Sequence, residues 1–215
     1  MRFAVPSLKA CPGSFAMDEF EKKYWLQGRE VIGIDEAGRG PICGPLVVCG
    51  VSFAAGYFHS EINDSKKLSA AKRKELFKII IKQAKSYQIK IVPTDIIDKL
   101  NIYQATKQAM QEIAAAFSGV VLTDCMPLEN CEHESLVAGD TRSISIAAAS
   151  ILAKVIRDHI MCGYHVLYPE YGYDSHKGYA TRSHIAAVKR LGINHLYRLS
   201  FEPIKSWSKA DLFSI

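Results

Sequence analysis

Two adjacent acidic residues stand where an apolar run meets a glycine-rich loop, and this junction constrains the fold most. The apolar residues 31–34 precede Asp35 and Glu36, glycines and prolines recur through residues 38–45, and a second apolar run follows at 46–53. This order predicts a strand, a loop and a strand. A carboxylate in an apolar setting is strongly disfavoured unless a cation compensates it, so the pair indicates a nearby arginine or divalent metal ion. Hard oxygen ligands suit Mg²⁺ or Mn²⁺.

The geometry of the acidic pair adds a constraint. Consecutive side chains on a regular strand point to opposite faces, so we expect the strand to bend if Asp35 and Glu36 are to reach one ion. Gly38 and Gly40 supply backbone freedom for such a bend. Taken alone, the motif fits a tight hairpin with solvated acids at least as well, because turns collect acids and glycines. Cys43 stands where a dinucleotide-binding fingerprint needs its third glycine, which excludes that fingerprint.

Two further acids follow apolar segments later in the chain. Asp124 ends the run 119–123, as Asp35 ends its own run, and two such strand ends would converge if the strands are neighbours. Asp140 precedes a helix rich in small residues, so it either joins the same cluster or caps that helix. Four carboxylates from three segments are what a two-metal phosphodiesterase needs, with ions ~4 Å apart. Serine-based hydrolysis is disfavoured because no Gly-x-Ser-x-Gly elbow is present.

Basic and aromatic residues indicate a polyanionic partner. Residues 69–85 predict an amphipathic helix whose outer face carries Lys74, Lys78, Lys82 and Lys85. The preceding run 63–68 gathers amides, hydroxyls and ammonium groups at a helix start, which suits phosphate, although a capped and solvated helix end is the alternative. Residues 168–181 interleave aromatic and basic groups that either stack on nucleotides or pin a helical cap. Lys154 and Asp158 have the spacing of a helical ion pair.

The remaining pattern predicts an α/β fold with a mixed sheet and a helical C-terminal part. Strands are expected near 87–92, 120–123 and 135–138, with helices near 103–117 and from about 145, and a boundary near Tyr168 and Pro169. The net charge of +5 is modest. Six cysteines without zinc-ligand spacing are interpreted as reduced core thiols. Because the chain has no apolar run of about 20 residues and no signal peptide, a soluble, cytoplasmic protein is expected.

Four segments together resemble the signature segments of bacterial ribonuclease HII, in the type 2 ribonuclease H family. They are GIDEAGRGPICGP, NDSKKL, GDTRSISIAAASILAKVIRD and YPEYGYDSHKGYATRSH, in that order, and the resemblance runs from about Val31 to Phe201. It implies a ribonuclease H-like mixed β-sheet flanked by helices, with a small helical C-terminal region. The regions would be an N-terminal extension (1–29), a catalytic domain (30–168) and a C-terminal helical region completing the substrate site (169–215).

The resemblance also implies an activity and its residues. The enzyme would hydrolyse the phosphodiester 5′ of ribonucleotides in RNA/DNA hybrids and of single ribonucleotides in duplex DNA, leaving 3′-hydroxyl and 5′-phosphate ends. Two Mg²⁺ or Mn²⁺ ions would bind Asp35, Glu36, Asp124 and Asp140. The Gly38, Arg39 and Gly40 loop would read the ribose 2′-hydroxyl through backbone groups, and Tyr179 would stack at the RNA–DNA junction. Ser65, Lys66 and Lys67 would hold the DNA backbone, with His176 and Lys177 supporting the junction side.

Some features depart from this resemblance or leave alternatives open. Cys125 stands where bacterial relatives usually carry glycine, and residues 196–201 only partly match the usual basic ending. The tail 207–215, with Leu212 and Phe213, is interpreted as a helix-packing segment, with a sliding-clamp peptide as the alternative, and a monomer is the default expectation. Two rival functions are a noncatalytic nucleic-acid-binding module and a small-molecule phosphohydrolase. The second leaves the row of lysines along the predicted helix 69–85 unexplained.

Overall fold

A mixed sheet of five strands forms the centre of the computed structural model, which describes residues 17–211. The strand order is β3-β2-β1-β4-β5. β1 pairs antiparallel with β2, β2 pairs antiparallel with β3, and the pairs β1–β4 and β4–β5 are parallel. The predicted fold class is confirmed. The strands are β1 (Val31–Ala37), β2 (Leu46–Ser52), β3 (Ser86–Val92), β4 (Val120–Asp124) and β5 (His133–Leu136).

Helices flank this sheet and make up the C-terminal part. The predicted helices near 69–85, 103–117 and from 145 are present, whereas β5 begins two residues before its predicted start and α3 was not predicted. Asn101, at φ 66°, separates α3 from α4. In the described part of the chain the helices are α1 (Glu19–Trp25), α2 (Ala70–Gln83), α3 (Thr94–Leu100), α4 (Ile102–Ala115), α5 (Ile144–Leu167), α6 (Tyr173–His176), α7 (Arg182–Leu191) and α8 (Ile204–Asp211).

The central strands β1, β2 and β4 are buried on both faces, whereas the edge strand β3 is mostly exposed. Ile32 and Ile34 face one apolar cluster with α4, while Val47 and Val51 face a second cluster with α2 and α5. At Gly33 the helix α5 lies directly on the strand, because a Cβ there would stand 2.2 Å from the backbone nitrogen of Ile146. This close approach fixes the start of α5 beside the ends of β1 and β4.

The C-terminal part packs on the loop after β1. Ile42 and Cys43 of that loop share a buried cluster with Met161, Tyr173 and Tyr197. The tail also contributes, because Trp207 packs at the edge of the cluster with Lys189 over its ring. The interpretation of the tail as a helix-packing segment is therefore supported up to α8, and Leu212 and Phe213 lie outside the described residues.

The described part of the N-terminal segment is tied to the start of α5. Glu21 on α1 is fully buried, and its Oε1 accepts hydrogen bonds from Ser143 Oγ (2.6 Å) and the Ser145 amide (2.9 Å). The Glu21 carboxyl group therefore lies at the positive end of the α5 dipole, and burial raises its pKa. Every helix within residues 17–211 is too short or too polar to span a bilayer.

Candidate active site

Three carboxylates converge where β1 and β4 end. Asp35, Asp124 and Asp140 each place one carboxylate oxygen within 4.8 Å of the others. Asp35 and Asp124 come together because β1 and β4 are parallel neighbours, paired up to Ile34 and Thr123. The expected convergence of these strand ends is therefore observed.

Asp140 joins this cluster through a short turn between β5 and α5. The Gly139 amide donates to Asp124 Oδ1 at 2.8 Å, which fixes the turn against the end of β4. Asp140 does not cap α5, because Ser143 occupies the N-cap and its side chain accepts from the Ile146 amide. The alternative interpretation of Asp140 as a helix cap is therefore wrong.

The cluster is electrostatically unfavourable without added cations. Burial raises the pKa of Asp35 well above its ordinary value, and the charge of Glu36 raises it further. Burial and the neighbouring carboxylates also raise the pKa of Asp140, although Lys66 Nζ stands 3.8 Å from Asp140 Oδ2. Converging carboxylate oxygens with a single lysine nearby are a donor set that fits hard divalent cations.

Glu36 lies beside the cluster rather than within it. β1 keeps its antiparallel ladder with β2 through Ala37, so the expected bend between Asp35 and Glu36 is absent. Ideal alternation would turn the two side chains to opposite faces, but the Glu36 carboxyl group stays close enough to Asp35 and Asp124 for both to influence its pKa. The Glu36 carboxylate also lies 3.6 Å from Arg39 Nη1. Burial raises the pKa of Glu36, and the Arg39 charge opposes that shift.

Cys125 shows why glycine suits its position. Its backbone has φ 52°, a left-handed conformation that costs most residues about 1–2 kcal/mol. The side chain is exposed, and the Leu136 carbonyl accepts from both its amide (3.0 Å) and its thiol (3.6 Å). The interpretation of the cysteines as core thiols is therefore wrong for Cys125, holds for Cys43 and Cys49, and does not extend to the half-buried Cys131 and Cys162. Cys11 lies outside the described residues.

The glycine loop, residues 38–45 between β1 and β2, places its exposed Gly40 beside an aromatic ring. Gly38 is buried with φ 104°, and a Cβ there would stand 2.2 Å from Arg157 Nε. Gly40 is exposed, and a Cβ added to it would meet only Tyr179 Cε1, at 3.7 Å. Tyr179 is 46% exposed, so its ring is free to contact another molecule. The structure thus places these two substrate candidates side by side.

The second group of candidates borders the acidic cluster. Ser65 is buried, and its Oγ lies 2.9 Å from Ser150 Oγ on α5. Lys66 and Lys67 are exposed on a short 3₁₀ turn (Ser65–Lys67) that precedes α2. Arg73 holds this turn by donating to the carbonyls of Ser65 (2.8 Å) and Leu68 (2.6 Å).

His176 and Lys177 are engaged within the protein. His176 Nδ1 accepts from the Gly178 amide at 3.1 Å, so its Nε2 carries the proton and donates to the Tyr171 carbonyl at 2.8 Å. Lys177 Nζ donates to Cys162 Sγ at 3.0 Å and to a backbone carbonyl. Both residues therefore shape the turn that carries Tyr179, and neither directs a free polar group outward.

Two buried arginines were not singled out from the sequence. Arg157 and Arg198 are 1% and 0% exposed and donate to backbone carbonyls of the glycine loop. Spacing could have revealed Arg157, because it lies four residues from Ala153 and Met161 on the buried face of α5. Lys154 and Asp158 form the predicted helical ion pair at 2.8 Å, and Lys154 Nζ lies 6.0 Å from the centre of the Tyr179 ring.

Comparison with known proteins identifies the family. A family model for Ribonuclease HII matches residues 32–204. The chain belongs to the ribonuclease HII family. The ribonuclease HII of Acholeplasma laidlawii is 43% identical over 189 residues, which cover 86% of this chain and 94% of that protein. This ribonuclease HII is therefore a type 2 ribonuclease H, an endonuclease for RNA/DNA hybrids, and the two rival functions are set aside.

Solved structures share the fold. The ribonuclease H2 of Pyrococcus horikoshii matches with a TM-score of 0.74 and 21% identity, covering 86% of this ribonuclease HII and all of that chain. The ribonuclease HII of Archaeoglobus fulgidus, solved in complex with PCNA, matches with a TM-score of 0.69 and 25% identity over 80% of this chain and 95% of that one.

Proposed function

We propose that this ribonuclease HII hydrolyses the phosphodiester on the 5′ side of a ribonucleotide, within hybrids and at single ribonucleotides embedded in duplex DNA. The products would carry 3′-hydroxyl and 5′-phosphate ends. The observation that carries the proposal is the convergence of Asp35, Asp124 and Asp140 within 4.8 Å, beside a basic and aromatic surface.

The acidic residues would hold two Mg²⁺ or Mn²⁺ ions, with Glu36 as the fourth ligand. Such ions, when bound, activate water and stabilise the leaving oxygen of a phosphodiester. The protein fixes the ligands in advance: the Glu36 amide donates to Asp35 Oδ1 at 2.7 Å, and the Gly139 amide holds Asp124. No nucleophilic side chain is needed.

The substrate would lie across the glycine loop. We infer that backbone groups of Gly38, Arg39 and Gly40 contact the ribose 2′-hydroxyl, because glycine permits close backbone approach. Tyr179 would stack at the junction. The exposed Lys66 and Lys67 would bind phosphates, with Ser65 supporting their turn. His176 and Lys177 would act by positioning the Tyr179 turn, through the hydrogen bonds of their side chains.

The first experiment compares a DNA duplex containing one ribonucleotide with the same all-DNA duplex, in Mg²⁺, Mn²⁺ or chelator. A metal-dependent nick on the 5′ side of the ribonucleotide, with ends verified by ligation and polymerase extension, is the expected result. The matched pair of variants is Asp124→Asn, expected to remove most turnover, and Asp158→Asn, expected to retain it. Cleavage in chelator, or near-normal turnover by Asp124→Asn, would contradict the proposed metal site.

A sliding clamp is a second proposed partner. The support is the A. fulgidus relative, solved with PCNA, which shares this fold. Pull-down of a bacterial clamp by the full chain, compared with a Phe213→Ala variant, tests whether the C-terminal segment supplies the contact. Binding that is absent, or unchanged in the variant, would remove that role from Phe213. The monomeric state stays a prediction.

A further inference from the structure

Two guanidinium groups are buried beneath the glycine loop without an acidic partner. Arg157 and Arg198 form no ion pair with any carboxylate in the described part of the chain. Burial and, as a smaller cause, the charge of Arg157 lower the pKa of Arg198 to about 9. Burying two like charges is costly, and apolar side chains of similar volume would often be cheaper. Their contacts therefore indicate what the pair does.

Arg198 binds the carbonyls at both ends of the loop. Its Nη2 donates to the Gly38 carbonyl at 2.7 Å and to the Gly44 carbonyl at 2.9 Å. Its Nη1 donates to the Arg39 carbonyl at 3.1 Å, and its Nε donates to the same Gly44 carbonyl at 3.1 Å. One planar group thus holds three carbonyls, a task for which the fixed fork of arginine is suited and the single ammonium of lysine is not.

Arg157 supports the loop from α5. It donates to the carbonyls of Pro45 (2.9 Å), Cys43 (3.2 Å) and Lys177 (2.9 Å). The last contact joins the loop to the turn that carries Tyr179. The Ile42 amide, which donates to the Gly178 carbonyl at 3.0 Å, reinforces the same connection.

The direction of these carbonyls fixes the direction of the amides beyond them. In a trans peptide the N–H points opposite to the C=O of the same unit. The inward carbonyls of Gly38 and Arg39 therefore turn the amides of Arg39 and Gly40 outward. Both residues are exposed, and neither amide donates to another group in the described part of the chain. The result is a pair of outward donors beside the Tyr179 ring.

We propose that Arg198 is a positioning residue for ribonucleotide selectivity, which holds the loop so that the Arg39 and Gly40 amides meet the ribose 2′-hydroxyl. Arg157 secures the same loop to the Tyr179 turn. Neither arginine touches substrate. This inference deepens the proposed function and rests on it.

The test compares Arg198→Lys and Arg198→Gln with wild type, using Tyr173→Phe as the matched control. Tyr173 is buried in the same C-terminal cluster, and its hydroxyl accepts from Asn194 Nδ2, so the control removes a hydrogen bond but none to the loop. Single-turnover cleavage is measured on the one-ribonucleotide duplex. Binding to the ribonucleotide and all-DNA duplexes is measured in chelator.

Both Arg198 variants are expected to cut the ribonucleotide duplex about 100-fold more slowly, the usual consequence of a misplacement near 1 Å. Their affinity for all-DNA duplex should stay near wild type, because phosphate contacts are untouched. Amide hydrogen exchange at Ile42 and Gly44 should accelerate. Tyr173→Phe should leave rate, selectivity and exchange unchanged.

Two outcomes are separable. If a folded Arg198 variant keeps the wild-type preference for the ribonucleotide duplex, the inference is overturned. If wild type itself shows no such preference, the proposed function fails, and hydrogen exchange alone then decides the positioning role. Unchanged exchange at Ile42 and Gly44 in both variants would overturn that role as well.

Discussion

Replacing Asp35 by asparagine should make the protein more stable than wild type without metal and less stable than wild type at high Mg²⁺. Asparagine keeps the shape of the side chain, and its Oδ1 can still accept from the Glu36 amide, which donates to Asp35 at 2.7 Å. The substitution removes one negative charge from the Asp35, Asp124 and Asp140 cluster. The metal-free variant should therefore unfold less readily than the wild type.

The spacing of the cluster sets the size of this effect. Two unit charges 4.8 Å apart at an effective dielectric of about 20 repel by about 3.5 kcal/mol. The raised pKa of Asp35 and the positive charge of Lys66 already relieve part of this repulsion. We therefore expect the variant to gain ~1–2 kcal/mol without metal, or about 2–8 °C in Tm for a chain of this size. Wild type should instead gain about 2.7 kcal/mol when Mg²⁺ stands at a hundred times its Kd.

The assay is thermal unfolding of wild type, Asp35→Asn and Asp158→Asn in chelator and across a Mg²⁺ titration. The expected result is a crossover, with Asp35→Asn more stable in chelator and wild type overtaking it as Mg²⁺ rises. Asp158→Asn, which loses only the ion pair with Lys154, should follow wild type. A metal-free Asp35→Asn protein less stable than wild type, or one with an equal Mg²⁺ response, would refute the reasoning.

Three further changes test other parts of the site. Gly38→Ala should lower the free energy of unfolding by about 1–3 kcal/mol, because its φ is 104° and its Cβ would clash with Arg157; an unchanged urea midpoint would contradict this. Tyr179→Ala should slow cleavage at a single embedded ribonucleotide more than it weakens all-DNA binding, and equal losses would argue against stacking at the junction. Burial lowers the pKa of His184 from 6.5 to about 4, so the contribution of neutral His184 to folding stability should be complete above pH 6.5 and be lost as the pH drops towards 4. Urea unfolding at several pH values should show a flatter dependence for His184→Gln, and parallel curves would contradict the assignment.

Local patterning was enough to predict most elements. The β-branched runs at β1 and β2 and the amphipathic spacing of α2 and α4 are local signals, and the structure follows them. Local signals failed at α3, where Pro93 precedes a helix of only seven residues, and at β5, which begins two residues before its predicted start. A short helix or strand contains few apolar residues whose spacing could reveal it, so tertiary contacts decide where it begins and ends.

The sequence by itself determined the family and singled out four candidate acids, because both depend on residue types in a fixed order. Tertiary structure alone decided which of these acids converge. The parallel pairing of β1 and β4 joins Asp35 to Asp124, the turn before α5 adds Asp140, and Glu36 lies beside this cluster, 3.6 Å from Arg39. The role of Arg198 was hidden for the same reason: it lies 154 residues beyond Gly44 in the chain, and the fold brings its guanidinium under the loop. Such contacts depend on how distant segments pack, which no local pattern records.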